Sequence, residues 1–256
     1  MTDAPTLRLP RLIGHRGAAR HAPENTLASV RMAALQGAPW VEVDVKLTAD
    51  GVPVLMHDDT LDRTTNGRGK VAETRFEALS RLDAGRWFSP AFIGEPVPTL
   101  AALIDLVAQL DLGLNLEIKP CPGRAAETAG VALSMAYSLW PEGRPPPLVS
   151  SFEFEALETA RRVVPSWPIG YLIDRRHPDW RAQADAVGAA TINVNARKET
   201  AATIAEYRAT GRPVLAYTVN TLPAAQEVLG WGVHGVFTDT PQGLAPLLRQ
   251  PGAGVA

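Results

Sequence analysis

Residues 41–47 read VEVDVKL. Successive side chains of a β-strand point to opposite faces, so Glu42, Asp44 and Lys46 would share one face of such a strand. Valine and leucine occupy the other face, and β-branched residues favour strands. The segment therefore predicts a strand that is charged on one face and apolar on the other.

A second segment repeats this pattern. Residues 114–119 read LNLEIK, which puts Asn115, Glu117 and Lys119 on one face and leucine and isoleucine on the other. Taken alone, two such segments are typical of half-exposed strands in an antiparallel sheet, with the polar side chains facing water. The choice between that fold and a parallel one depends on what lies between the strands.

Short apolar segments alternate with longer amphipathic segments along the chain, which indicates βαβ units and a parallel sheet. The short segments predict eight strands, at 12–14, 41–47, 114–118, 147–151, 168–173, 191–195, 213–219 and 235–238. The longer segments predict eight helices, at 24–36, 99–110, 124–139, 153–163, 178–187, 199–210, 221–230 and 241–249. Eight repeats favour an α/β fold of the TIM (β/α)8 barrel type, and a doubly wound open sheet is the alternative.

Residues 58–98 interrupt this alternation with several glycines and prolines. A disordered loop is one interpretation, but the adjacent Trp87 and Phe88 and the stretch RFEALSRLDAG favour a small packed subdomain with a short helix. Barrels of this type commonly run about 250 residues as one unit. We therefore predict a single TIM barrel domain over residues 1–256, with an insertion at about 58–98 after the second strand.

The composition is that of an ordinary globular protein. The 256 residues include 25 Lys and Arg against 27 Asp and Glu, and 46% are hydrophobic, which excludes a disordered chain. A net charge of -2 argues against a nucleic-acid partner. No stretch of about 18 apolar residues lacks a charge, so we predict no membrane span. The single Cys121 and the absence of a secretory signal pattern predict a cytoplasmic protein.

Three carboxylates on two of the predicted strands form a candidate metal site. Parallel strands are covered on both faces, so a charged face must lie in the barrel interior or at its mouth. Burying unpaired carboxylates costs several kcal/mol, and a bound cation removes that cost. Glu42, Asp44 and Glu117 would supply only oxygen ligands, which suits one Mg2+ or Ca2+ ion.

Two of the four lysines in the chain, Lys46 and Lys119, each follow one of these carboxylates by two residues on the same strand. A lysine beside a cation is electrostatically unfavourable unless an anionic substrate bridges them. The pattern therefore indicates a phosphate or carboxylate ligand.

Two histidines follow short apolar segments, and we place both at the carboxyl ends of strands. His15 follows the first strand in IGHRG, and His57 ends VLMH; in a TIM barrel, active sites lie at the carboxyl ends of the strands. Two imidazoles can act as base and acid near neutral pH, which suits cleavage of a phosphodiester. Arg16 beside His15 offers a planar fork for phosphate oxygens. We interpret the remaining histidines as structural: His21, His177 and His234.

Several motifs together identify a family. They are HRGAARHAPENT (15–26), VEVDVKLTADGVPVLMHDDTLDRTTNG (41–67), LNLEIKP (114–120), YTVN (217–220) and WGVHGVFTDTP (231–241). In this order they resemble the glycerophosphodiester phosphodiesterase family, and most of all its short cytoplasmic bacterial form. The resemblance covers nearly the whole chain, including the insertion.

The resemblance implies a TIM barrel that hydrolyses glycerophosphodiesters, such as glycerophosphocholine and glycerophosphoethanolamine, to sn-glycerol 3-phosphate and an alcohol. Carried over by position, Glu42, Asp44 and Glu117 would hold the divalent cation, and His15 and His57 would be acid and base. Substrate-binding residues would be Arg16 and Lys119 at the phosphate, with Trp87, Phe152 and Tyr217 as possible pocket aromatics. Glu24 and Asn25 would shape the floor of the site.

Two alternatives to this function remain open at this point. The first is a phosphodiesterase that uses the same site for lysophospholipids or another lipid phosphodiester. The second is a non-catalytic barrel that binds metal and phosphate; the presence of His15 and His57 argues against it, because binding alone needs no acid and base. The sequence leaves open the preferred alcohol, the choice of Mg2+ or Ca2+, and attack by the glycerol 2-hydroxyl or by water. We expect a monomer or a homodimer.

Overall fold

The computed structural model describes residues 7–249. Strands in this part of the chain are β1 (Leu12–Gly14), β2 (Trp40–Leu47), β3 (Pro53–Leu55), β4 (Gly113–Ile118), β5 (Leu148–Ser151), β6 (Ile169–Ile173), β7 (Thr191–Asn195), β8 (Val214–Tyr217) and β9 (Gly235–Thr238). Helices are α1 (Leu27–Leu35), α2 (Phe76–Leu79), α3 (Leu100–Gln109), α4 (Ala125–Leu139), α5 (Phe154–Val163), α6 (Trp180–Ala186), α7 (Ala201–Arg208), α8 (Leu222–Gly230) and α9 (Pro241–Leu244).

Eight parallel strands close into a barrel. The hydrogen-bonded order runs β1-β9-β8-β7-β6-β5-β4-β2, and β1 also pairs with β2. Closure excludes the doubly wound open sheet and confirms the predicted TIM barrel. The predicted strands agree with the observed ones to within one or two residues, and a helix or helices follow each strand toward the next barrel strand.

The ninth strand was not predicted from the sequence. Strand β3 runs antiparallel to the second half of β2, with Val54 opposite Lys46, while β1 pairs with the first half through Gly14 opposite Val41. His57 therefore follows a short antiparallel strand, and its predicted position at the end of a barrel strand is wrong. Because β1 and β3 lie along the same edge of β2, His15 and His57 still border the same cavity.

The apolar residues form two layers around the barrel wall. Side chains that point outward from the strands pack against the helices in one large core, as Val41 and Val43 do. Inside the barrel, Ile13, Leu148 and Leu215 pack with Phe237 in a separate buried cluster. This inner cluster closes the barrel below the charged residues of β2 and β4, so the site above it opens at one end.

The insertion packs on its own apolar cluster, as the sequence predicts. Residues 58–98 contain α2 and two 3-10 turns, Val71–Glu73 and Pro90–Phe92. Their buried side chains pack with residues of β3 and with Cys121 of the β4–α4 loop; the cluster comprises Val54, Met56, Leu61, Val71, Leu79, Ala84, Val97 and Cys121. The insertion is thereby fixed against the wall of the barrel beside His57.

Candidate active site

A cavity of ≈ 360 Å³ opens at the carboxyl ends of the barrel strands. Most of its wall comes from residues that end a strand or directly follow one, which is where TIM barrels build active sites. It is lined by His15, Arg16, Glu42, His57, Asn115, Glu117, Lys119, Ser150, Phe152, Leu172, Asn195, Arg197, Tyr217, Thr218, Asn220, Phe237 and Asp239.

The three predicted metal ligands lie together. One oxygen each of Glu42, Asp44 and Glu117 lies within 4.8 Å of the others, and all three residues are buried. The register explains this, because Asp44 of β2 pairs directly with Glu117 of β4 and Glu42 lies two residues earlier on the same face. The three carboxylates could hold a metal ion.

Crowding of these carboxylates sets their pKa values apart. Burial, and then the charge of Asp44, raise the pKa of Glu117 to about 7. Burial and the two neighbouring carboxylates also raise the pKa of Glu42 well above its usual range. Burial opposes ionisation of Asp44 as well, but Arg16 and Lys119 outweigh it and lower that pKa. Asp44 is thus ionised, whereas a bound cation would favour the ionised forms of Glu42 and Glu117.

The donor set fits a divalent cation. Oε1 of Glu42 is buried and has no hydrogen-bond partner among the described residues, which is unfavourable for a carboxylate unless a cation or a donor reaches it. Oxygen ligands from three carboxylates are those that Mg2+ and Ca2+ prefer. Residues that would hold the ion are therefore Glu42, Asp44 and Glu117.

Asn25 of the PENT segment fixes Asp44. Its Nδ2 donates to Oδ2 of Asp44 at 2.8 Å, and its Oδ1 accepts from the Asp44 backbone N–H at 3.0 Å. Asn25 adopts a left-handed backbone with φ 56°, a conformation that asparagine tolerates better than most residues. Helix α1 begins after this turn, with Thr26 as its N-cap, so the predicted helix start at residue 24 is two to three residues too early.

Arg16 contacts two of the three clustered carboxylates and also Glu24. Its backbone N–H donates to Oε2 of Glu42 at 2.9 Å. Its guanidinium donates to Oε1 of Glu24 at 2.8 Å and lies 3.4 Å from Oδ2 of Asp44. The flanking Gly17 has φ 82° and lies so close to Ser29 that a Cβ would be 2.0 Å from its Oγ. This tight turn directs both His15 and Arg16 toward the cavity.

A carboxylate holds the ring of His15. Nδ1 of His15 lies 2.6 Å from Oδ1 of Asp239, and the other oxygen of Asp239 accepts from Nδ2 of Asn220 at 2.6 Å. Nε2 of His15 then faces Glu42, at 3.9 Å from its Oε2. A carboxylate at Nδ1 favours the proton on that nitrogen, which leaves Nε2 available for chemistry.

His57 has a matching arrangement. Its Nδ1 lies 2.8 Å from Oδ1 of Asp58, and Arg63 donates to both oxygens of Asp58 and to both of Glu24. Burial lowers the pKa of His57, and the charges of Arg16 and Lys119 lower it further against the opposing effect of Asp44. This shift favours the neutral form of the His57 imidazole near pH 7.

Lys119 lies between the carboxylates and an aromatic ring. Its Nζ is 2.8 Å from Oε1 of Glu117, 3.4 Å from Oδ1 of Asp44 and 5.2 Å from the centre of the Phe152 ring. Lys46, by contrast, is fully buried beside the main cavity, where its Nζ donates to Asp59 of the insertion at 2.7 Å. One lysine thus faces the cavity, and the other ties the insertion to the barrel.

Two of the three predicted pocket aromatics lie at the cavity. The rings of Phe152 and Tyr217 pack edge to face with centroids 5.9 Å apart. Trp87 is not among the residues that line the cavity; its Nε1 donates to the backbone of Ala84, and its ring packs against Phe88 inside the insertion. The predicted position of Trp87 at the pocket is therefore wrong. The sequence does not indicate how the insertion packs, so it could not show toward which side the Trp87 ring points.

The sequence interpretation missed the residues that orient the imidazoles. Asp58 follows His57 directly, whereas Asp239 is the second residue of TDTP and Asn220 the last of YTVN, near the other end of the chain. For Asn220 and Asp239 the signal was present, because each directly follows a predicted strand, 213–219 and 235–238, and such positions face the mouth of a barrel. Asp58 follows a strand that was not predicted, so its only signal was its position next to His57.

Residues 15–243 match the sequence profile of the glycerophosphoryl diester phosphodiesterase family. The chain belongs to this family. It is an enzyme that cleaves phosphoric diesters, and it has curated relatives along nearly its full length. The glycerophosphodiester phosphodiesterase of Caldanaerobacter subterraneus is 32% identical over 250 residues, which are 94% of this chain and 98% of the relative. One from Bacillus subtilis is 31% identical over 244 residues, 90% of this chain and 83% of the relative.

Solved structures of family members share the fold. A phosphodiesterase from Oleispira antarctica, in complex with the product sn-glycerol 3-phosphate, superposes with a TM-score of 0.91 at 37% identity and covers 94% of this chain and 98% of its own. The glycerophosphodiester phosphodiesterase from Agrobacterium tumefaciens superposes with a TM-score of 0.76 at 29% identity and covers 93% of this chain and 100% of its own.

Among the described residues, we find no helix that combines the length and the apolar character needed to span a membrane.

Proposed function

We propose that this member of the family hydrolyses small glycerophosphodiesters, such as glycerophosphocholine and glycerophosphoethanolamine, to sn-glycerol 3-phosphate and the free alcohol. The observation that carries the proposal is the pair of imidazoles, each held at Nδ1 by an aspartate, which face one cavity with three clustered carboxylates. The complex of the Oleispira relative with sn-glycerol 3-phosphate supports the choice of substrate.

One divalent cation, Mg2+ or Ca2+, would be held by Glu42, Asp44 and Glu117. Such an ion neutralises charge on a phosphoryl group and lowers the pKa of a hydroxyl that it binds. Asn25 and Arg16 keep the ligand oxygens in place through their bonds to Asp44 and Glu42. The role of these chain residues is to fix the carboxylates before the substrate arrives.

Arg16 and Lys119 would bind the phosphate. Both are cationic, both border the cavity, and both approach Asp44 to 3.4 Å. The planar guanidinium suits two phosphate oxygens at once, while the ammonium acts as a point charge. An anionic phosphodiester in this position lies between the two cations and beside both imidazoles. Phe152 and Tyr217 would form the apolar wall of the pocket.

His15 and His57 would move the protons. Each has its Nδ1 engaged with a carboxylate, so each can exchange a proton through Nε2. One imidazole takes the proton from the attacking hydroxyl, and the other gives a proton to the leaving alkoxide. We favour attack by the glycerol 2-hydroxyl, followed by opening of a cyclic phosphate with the histidine roles reversed; direct attack by water is the alternative.

The reaction would take place in the cytoplasm, with a small molecule as the partner. Cys121, the only cysteine, is a buried free thiol, and unpaired thiols are ordinary in a reducing compartment. The near-neutral charge balance supports neither a nucleic-acid partner nor binding to an anionic surface.

Release of sn-glycerol 3-phosphate from glycerophosphocholine tests the proposal. Chelator-stripped protein is assayed alone, with Mg2+ and with Ca2+. We expect release only after a metal is added. Folded protein that binds the ion but releases no sn-glycerol 3-phosphate from glycerophosphocholine or glycerophosphoethanolamine would refute the proposed substrate.

A further inference from the structure

A buried polar layer forms the floor of the cavity, level with Glu42 and below Asp44 and Glu117. Asn115 and Ser150 both border the cavity and are 1% and 0% exposed. Nδ2 of Asn115 donates to Oγ of Ser150 at 2.8 Å. Asn193 is equally buried and lies next to them, because a Cβ on Gly170 would be 2.7 Å from Nδ2 of Asn193 and 3.4 Å from Cβ of Ser150.

This layer is incompletely hydrogen-bonded. Oδ1 of Asn115, an acceptor, has no hydrogen-bond partner among the described residues, and neither has Nδ2 of Asn193, a donor. An unpartnered buried amide oxygen costs free energy. Of these residues Asn115 borders the cavity, and a hydroxyl group of a bound molecule can donate to its free oxygen.

The depth of the floor limits what can reach it. Asn115 lies two residues before Glu117 on β4, which at a strand rise of roughly 3.3 Å per residue is about 7 Å deeper in the barrel. The apolar cluster of Ile13, Leu148, Leu215 and Phe237 closes the barrel interior. The position thus accepts a short group and offers no continuing channel for a chain.

We infer that Asn115 and Ser150 bind the 1-hydroxyl of the substrate's glycerol, with the hydroxyl proton donated to Oδ1 of Asn115. The inference rests on the proposed function, which puts the phosphate at Arg16 and Lys119 and the 2-hydroxyl beside the carboxylates. The 1-hydroxyl is then the group farthest from the phosphate that can extend toward the floor. An acyl group on this oxygen replaces the hydroxyl proton, and the closed floor leaves no space for the acyl chain. Asn115 and Ser150 therefore determine specificity for deacylated substrates.

Product binding to the unaltered protein gives the first test. Calorimetry in Mg2+ compares sn-glycerol 3-phosphate with 2-hydroxypropyl phosphate, which lacks only the 1-hydroxyl, and with inorganic phosphate. We expect sn-glycerol 3-phosphate to bind about 10- to 100-fold more tightly than 2-hydroxypropyl phosphate, since a missing donor leaves the amide oxygen unpartnered. Equal affinities for these two ligands would overturn the inference.

Variants give the second test. Asn115→Leu keeps the side-chain volume and removes the acceptor, and Ser150→Ala is a smaller change that releases the Asn115 amide. Both should weaken sn-glycerol 3-phosphate binding and raise KM for glycerophosphocholine about tenfold or more, while the affinity for inorganic phosphate stays the same. Thr128→Val is the matched control, because Thr128 also has a buried hydroxyl with no partner in the part of the chain that the structure describes, but lies on α4, outside the cavity.

The outcomes separate the inference from the proposed function. Wild-type protein should release sn-glycerol 3-phosphate from glycerophosphocholine and act at least 100-fold more slowly on its 1-acyl derivative. A smaller preference in Asn115→Leu, caused by slower turnover of glycerophosphocholine and not by faster turnover of the acyl derivative, would support the inference. If the floor only holds a structural water, the variants will change the melting temperature but leave ligand preference intact, and the inference fails while the function stands. No release by the wild-type protein from either substrate refutes the function itself.

Discussion

His15 and Asp239 lie 224 residues apart in the chain, yet Nδ1 of His15 is 2.6 Å from Oδ1 of Asp239. Barrel closure brings them together, because β1 pairs with β9 and each residue follows its own strand. Asn220 from the end of β8 holds the second oxygen of Asp239 and also accepts from the Asp239 backbone N–H. Three neighbouring strands therefore set the orientation of one imidazole.

Replacing this carboxylate should slow the chemical step. In Asp239→Asn, the amide no longer favours the proton on Nδ1 of His15, so we expect kcat to fall roughly 10- to 100-fold with little change in KM. The pH profile of kcat should also shift, which a purely structural role would not produce. Asp105→Asn on the exposed face of α3 serves as control. A pH profile identical to that of the wild type would contradict a positioning role for Asp239.

Removal of either imidazole should have a larger effect. His15→Ala and His57→Ala each delete a proposed proton-transfer group, and we expect a loss of about two to four orders of magnitude in kcat. Binding of Mg2+, measured by calorimetry on the same variants, should remain. His234→Ala provides the control, since its ring bonds to the backbone of Leu9 away from the cavity. Full activity in both cavity variants would refute the assignment of acid and base.

Loss of a carboxylate should abolish metal-dependent behaviour. Glu117→Gln removes one of three ligands and one negative charge, so we expect at least tenfold weaker binding of Mg2+ or Ca2+ and activity close to background. Adding a chelator to wild-type protein should give the same loss, reversible by metal. Thermal denaturation should show a metal-dependent rise in melting temperature for the wild type only. An equal rise in Glu117→Gln would mean that the ion binds elsewhere.

The metal-free protein should become less stable as pH rises. The pKa of Glu117 is raised from 4.5 to about 7 in the folded state, first by burial and then by Asp44, so the folded protein binds this proton more tightly than the unfolded chain does. The resulting stabilisation is present below about pH 4.5 and is lost as pH rises through about 7. Melting temperatures of stripped protein between pH 5 and 8 should show the decline, and Glu117→Gln should flatten it.

The same pKa shift predicts the pH dependence of metal binding. A cation competes with protons for Glu42 and Glu117, so its affinity should increase between pH 5 and 8. Metal should therefore raise the melting temperature more at pH 8 than at pH 5. A metal effect that is independent of pH over this range would show that these two carboxylates are ionised without the ion.

An analogue without the 2-hydroxyl tests the attacking group. If the glycerol 2-hydroxyl attacks phosphorus, 3-hydroxypropyl phosphocholine should react far more slowly than glycerophosphocholine, while its binding as an inhibitor persists. A cyclic phosphate should also accumulate briefly in rapid-quench samples of the normal reaction. Turnover of the analogue at the normal rate would leave direct attack by water as the mechanism.

The sequence by itself determined the barrel and the carboxylate cluster. Glu42, Asp44 and Glu117 were predictable because the side-chain alternation of strands is local, and because parallel strands between helices leave charged residues only the barrel interior. His15 and Arg16 were predictable for a related reason, since the ends of barrel strands face one mouth. The resemblance to the family added the reaction and the substrate class.

Only the tertiary structure decided which residues support that cluster. The pairing of His15 with Asp239 depends on closure between the first and last strands, and the position of His57 depends on β3, a three-residue antiparallel strand with too little periodicity to be recognised. The direction of Trp87 depends on packing inside the insertion, and the unpartnered Asn115 oxygen depends on where neighbouring strands place their side chains. Strand patterns are local and readable, whereas contacts between distant segments are set by how the whole barrel packs.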